Sequence, residues 1–134
     1  MAVGAGINIE QKRRKKQPEQ AIQKNLVKSL PFILPRGAFM FAVPNGGKRV
    51  GKEGAILAGQ GVVPGVTDLI ILWDGRAFGL EVKAPKGSLS DSQKHAQEAM
   101  RRAGTPVGTV HSLPEAIAFL RENQIPLRIK GEVA

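Results

Sequence analysis

The sequence predicts a single α/β domain in which a mixed sheet is flanked by helices. Three observations predict it. The chain has 134 residues, the size of one ordinary domain, and 42% of them are hydrophobic, enough for a real core. Segments of helical period alternate with segments of strand period in the order α, β, β, β, α, β, α. Between two of the strand segments stands Asp74-Gly75, the strongest short hairpin signal in the chain.

The elements follow in order. Residues 1–17 read as a loose basic arm, with an unbroken run of Lys12, Arg13, Arg14, Lys15 and Lys16. Pro18 suits the first turn of a helix. Ile22, Leu26 and Leu30 then fall on one stripe, and Pro31 is expected to end it. Residues 38–43 read as a strand, 44–51 (PNGGKRVG) as a glycine-rich loop, and 53–60 as a short helix. A loop over 61–67 leads into a strand over 68–73, and the hairpin returns over 76–84. Ser90 caps a helix that Gly104 stops. Residues 106–111 form a strand, Ser112 caps a helix to about 122, and 127–130 read as a last strand. Residues 18–134 thus form the one domain.

A two-residue turn at Asp74-Gly75 pairs Trp73 with Arg76, so paired positions sum to 149 and Asp68 faces Glu81. Directly opposed residues have Cβ atoms roughly 5 Å apart. Side chains alternate along a strand, so Lys83 shares the face of Glu81 and Val82 points away. Leu69, Ile71, Trp73, Phe78, Leu80 and Val82 line the other face. Ile70 and Leu72 share the Asp68 face, so both faces are expected to be covered. Two adjacent carboxylates repel. A divalent cation removes that penalty, and Mg²⁺ or Mn²⁺ prefers such oxygens. A lysine beside them can orient an attacking water and steady charge on a phosphate. A plainer account is a surface ion pair between Glu81 and Lys83, with Asp68 at a strand end.

Composition narrows the classes. The net charge of +9 favours a polyanionic partner. With no cysteine, disulfides, thiolate zinc sites and cysteine nucleophiles are excluded; a reducing cytoplasm fits. The N-terminus lacks a signal-peptide pattern, and no apolar stretch approaches a membrane span. Five Phe and Trp73 are the only aromatics, which disfavours a base-stacking platform of exposed rings. Ser88, Ser90 and Ser92 lack a histidine–acid partnership. His95 and His111 stand alone and are assigned to no metal. Lys94, Arg101 and Arg102 read as a solvated helix face.

Asp68 followed by Glu81-Val82-Lys83 after a hairpin resembles the PD-(D/E)xK nuclease superfamily. Four ordered motifs are similar to its VRR-NUC family: Pro44-Asn45-Gly46-Gly47 with Arg49; Gly61-Val62-Val63-Pro64-Gly65-Val66-Thr67-Asp68-Leu69; Leu80-Glu81-Val82-Lys83; and Leu89-Ser90 with Gln93. The match covers roughly residues 18–120. It implies a restriction-endonuclease-like fold and a Mg²⁺- or Mn²⁺-dependent DNA endonuclease of the stand-alone phage or bacterial type. Such a protein would be a homodimer in the cytoplasm, acting on branched DNA such as four-way (Holliday) junctions, with no membrane and no organic cofactor.

Carried over by position, the resemblance makes Asp68 and Glu81 metal ligands, with the Val82 carbonyl a third and Glu19 a candidate fourth. Lys83 becomes the catalytic lysine, and Gln93 orients water or phosphate. Thr67 stands where the family has proline; threonine suits a strand, so the geometry is expected to survive. Glu19 has a plainer role in the first turn of a helix, where an acid meets the macrodipole favourably. Ser90 and Gln93 spell a capping box, a role that competes with catalysis. Asn45-Gly46-Gly47 is either a simple turn or a place where backbone amides approach phosphates, with Lys48, Arg49 and Lys52 adding charge. Two other readings stand beside the nuclease: a DNA-binding module of the same fold that does not cut, and a basic protein that uses residues 12–16 on anionic surfaces.

Overall fold

A computed structural model describes residues 9–44 and 51–129. The elements are α1 (Ile9–Ile33), β1 (Phe39–Ala42), α2 (Gly51–Gly59), β2 (Leu69–Trp73), β3 (Arg76–Val82), α3 (Asp91–Arg102), β4 (Val107–Val110) and α4 (Leu113–Glu122). The strands form one sheet in the order β1-β2-β3-β4. The β1/β2 and β2/β3 pairs are antiparallel. The Gly79 N–H donates to the Pro106 carbonyl and the Lys83 N–H to that of Val110, so partner numbers rise together and β3/β4 is parallel. The sheet is therefore mixed, as expected, with α3 as the crossover that a parallel pair needs.

The chain divides into two compact units. One comprises Arg36–Glu81 and Ser88–Gly108. It holds β1, α2, β2, α3 and β3 as far as Glu81. Its buried apolar residues are Leu69, Ile71, Phe78, Leu80, Ala96 and Val107. The first four alternate along the hairpin as a period-two pattern requires. The other unit comprises Met1–Pro35, Val82–Gly87 and Thr109–Ala134. There α1 packs on α4, and Leu26, Leu30, Leu34, Val82, Val110, Ala116, Leu120 and Ile125 are buried.

Four expectations are corrected. Helix α1 begins at Ile9 and not at Pro18, and it continues past Pro31. The residues from 9 to 17 are almost all good helix formers, and they outweigh the one backbone donor that Pro18 lacks. The backbone of the basic run therefore lies within α1. Residues 127–129 form no strand. Instead Arg128 closes the end of α1: its N–H donates to the Ile33 carbonyl at 2.7 Å, and its guanidinium donates to those of Leu34 at 2.6 Å and Pro31 at 2.8 Å. A helix end leaves carbonyls without intrahelical donors, and Arg128 supplies them. The Asp68 face of the sheet is not fully covered, because Leu72 is 41% exposed. On the same face, on the edge strand β1, Phe39 is 62% and Phe41 39% exposed.

Candidate functional site

The hairpin turn sets the site. Asp74 and Gly75 have φ of 51° and 72°, the paired positive values of a type I′ turn, whose twist matches that of the strands it joins. The register runs from Trp73↔Arg76 to Leu69↔Leu80, the pairing expected. Asp68 directly precedes β2. Its carbonyl still accepts the Val43 N–H at 2.9 Å, so the β1/β2 ladder runs on through Asp68. The hairpin register, continued by one residue, sets Asp68 across from Glu81.

Glu81 is 1% exposed, and Asp68 is half-buried. A surface ion pair is therefore not what Glu81 makes. Burying a carboxylate is costly, and an apolar residue of similar size would serve the strand better. The position is chemically expensive, as functional positions are.

Gln93 reaches this carboxylate. Its Nε2 donates to Glu81 Oε2 at 3.2 Å, while its Oε1 accepts the Ser90 N–H at 2.9 Å. The Ser90 hydroxyl accepts the Gln93 N–H in return, which completes the capping box. Capping and contact with Glu81 do not compete, because the amide has an acceptor for one and a donor for the other.

The loop before Asp68 is locked to the same helix. Gly65 has φ of +80°, and a Cβ there would run into the Ser92 carbonyl group and lie 2.6 Å from the Gln93 nitrogen. No other residue satisfies both the left-handed backbone and that approach. Thr67 is fully buried, with its hydroxyl donating to the Leu69 carbonyl at 3.3 Å. A Cβ at Gly79 would lie 2.8 Å from the Thr67 Oγ1 and 2.9 Å from the Met100 Cε. Threonine before Asp68 thus finds a built niche. From sequence, Gly65 reads only as part of a loop and of the Gly61–Leu69 motif, and Gly79 only as a residue of the hairpin strand.

In the other unit, Lys83 is half-buried, with its Nζ 3.9 Å from Glu19 Oε1. Glu19 lies well inside α1 and not in its first turn, so the favourable end of the macrodipole does not account for it. His111 faces Glu115, with Nδ1 2.8 Å from Oε1, and Ser112 caps α4. His95 is exposed on α3. Asn45, Gly46, Gly47, Lys48 and Arg49 lie outside the described residues. The backbones of Lys12, Arg13, Arg14, Lys15, Lys16 and Lys52 lie in α1 and α2, and their side chains are outside the description.

Among the described residues, no group of three or more His, Cys, Asp or Glu side chains is arranged to hold a metal ion. Asp68 and Glu81 alone still fit Mg²⁺, which is commonly held by one or two carboxylates with water and phosphate completing the shell. No helix among these residues is long and apolar enough to cross a membrane.

No family model and no curated protein matches the sequence. Among solved structures, the chain is similar to one described as a "VRR_NUC domain protein". The TM-score is 0.63 at 18% identity, over 77% of this chain and 84% of that one. The likeness is one of fold: a restriction-endonuclease-like α/β arrangement. Within that class, the fold is similar to that of a VRR-NUC domain.

Proposed function

We propose that this chain is a metal-dependent DNA endonuclease that hydrolyses phosphodiester bonds and selects branched DNA, four-way junctions included. The observation that carries the reading is a fully buried Glu81, which the hairpin register continued by one residue sets across from Asp68, with Lys83 two residues further along the chain. The fold shared with a VRR-NUC domain adds to it.

Asp68, Glu81 and the Val82 carbonyl would hold Mg²⁺ or Mn²⁺, with Glu19 as a further ligand. The ion would supply Lewis-acid activation of water and neutralise charge on the leaving oxygen. The protein's own residues do the rest. Gln93 holds the Glu81 carboxylate in one orientation through its Nε2. Lys83 carries the positive charge that meets the phosphate oxygens as negative charge builds on them. Glu19 lies 3.9 Å from the Lys83 ammonium and pairs with its charge. Lys12, Arg13, Arg14, Lys15 and Lys16, with the 45–49 loop and Lys52, contact the phosphate backbone by charge, so binding is tolerant of sequence and sensitive to salt. A homodimer would present two such sites for paired cuts across a junction.

The test is incubation with a four-way junction and a matched linear duplex in Mg²⁺, Mn²⁺ or EDTA. Glu81→Gln, which preserves shape, should abolish cutting, and Lys83→Ala should nearly abolish it while DNA binding persists. Normal cleavage by Lys83→Ala would sink the assignment. Salt-sensitive binding without cutting in any metal would make the chain a DNA-binding module of this fold.

A further inference from the structure

The sheet face that carries Asp68 and Glu81 continues, within the same unit, as an open apolar surface. Register defines it. Phe41 pairs with Ile70, which pairs with Gly79; Phe39 pairs with Leu72, which pairs with Ala77. Directly paired residues point to one side of a sheet, and Ile70 and Leu72 alternate in step with Asp68. The Phe39 and Phe41 rings lie side by side, centroids 5.9 Å apart at 37°. Both are exposed, as is Leu72. On this face Met100 of α3 covers Gly79 on β3, while the rings and Leu72 on β1 and β2 face solvent. Past Phe39 the surface drops into an open hollow of about 380 Å³, lined by Gly37, Leu72, Trp73, Arg76 and Ala77 among others.

We propose that Phe41 and Phe39 stack the bases of an unpaired nucleic-acid strand, and that the hollow beyond them receives a further base. Three features select this occupant. Rings on an exposed strand face suit the faces of bases. The net charge of +9 favours a polyanion. The rings also lie close to the carboxylates. Phe41 sits two residues along from the Asp68 pairing position and one strand over, about 7 Å and about 5 Å respectively. The proposal rests on the nuclease reading only for where the phosphate sits. It adds a substrate feature: unpaired nucleotides next to the cleaved bond, as at a flap, a frayed end or the heart of a branch.

Binding is measured in EDTA, without cleavage, to a labelled single-stranded oligonucleotide and to a blunt duplex. Phe39→Ala/Phe41→Ala should weaken single-strand binding by about tenfold or more and leave the duplex unchanged. Phe39→Leu/Phe41→Leu keeps the apolar volume and should show the same selective loss, which guards against misfolding in the alanine variant. Equal losses on both DNAs, or none in the folded leucine variant, would overturn the proposal. So would a dimer in sedimentation that the leucine variant converts to monomer with single-strand binding intact, since the face would then join two copies. Selective loss of single-strand binding in a protein that cuts nothing would leave this proposal standing and remove the nuclease reading.

Discussion

The Gln93 amide joins a helix cap to a buried carboxylate. Gln93→Leu removes both hydrogen bonds, and a denaturant melt should show a loss of about 1–2 kcal/mol. Gln93→Glu keeps an acceptor for the Ser90 N–H but turns a donor beside Glu81 into a like charge. It should be the less stable of the two at neutral pH; wild-type stability would mean that the donation to Glu81 counts for nothing. Glu115 shows another local electrostatic device. The hydrogen bond from the His111 side chain, with help from the His111 backbone N–H, holds its carboxyl below the ordinary 4.5. A depressed folded value stabilises above the unfolded pKa, and the gain is lost as pH falls through the folded one. Glu115→Gln should therefore lower Tm at pH 7, and the gap should close in strong acid.

At the scale of elements, the loop before Asp68 and the start of α3 are held together by a missing side chain. Gly65→Ala meets both a left-handed φ and the Ser92 carbonyl group, and should cost about 3 kcal/mol or more in a urea melt. Since that close approach also seats Gln93, any metal-dependent cutting should fall with it. A fully stable variant would mean that the loop and helix are not tightly coupled. Arg128 acts at the end of α1. Arg128→Ala leaves the Pro31 and Leu34 carbonyls without its donors and should cost about 1–2 kcal/mol, with faster amide exchange in the last turn of α1.

The whole molecule carries a net charge of +9, concentrated in part in residues 12–16. Counterion release makes DNA affinity fall steeply with salt. Alanine at Lys12, Arg13, Arg14, Lys15 and Lys16 should flatten a plot of log affinity against log salt by about 0.9 for each phosphate that is no longer neutralised. An unchanged slope would mean that other cations neutralise the phosphates. The backbone of this run is helical.

Much was legible in the sequence because it is set locally. Asp74-Gly75 demands two positive φ values, and that turn sets the register from Trp73↔Arg76 to Leu69↔Leu80, which continued by one residue sets Asp68 across from Glu81. The Ser90–Gln93 box and the Ser112 cap likewise span only three residues, and the alternation of Leu69, Ile71, Phe78 and Leu80 named the buried face. Interactions between distant segments were not legible. Arg128 reaches carbonyls 94 and 97 residues away, and no local pattern announces that. Gly65 and Gly79 are needed for what lies against them, not for their neighbours in the chain. Helix α1 could pass through Pro18 because its flanking residues favour helix on both sides, a balance that the lone proline signal did not reveal. Phe39 and Phe41 are apolar by type, and only tertiary packing decided their exposure: α3 meets this sheet face at Gly79 on β3 and leaves the rings on β1 facing solvent.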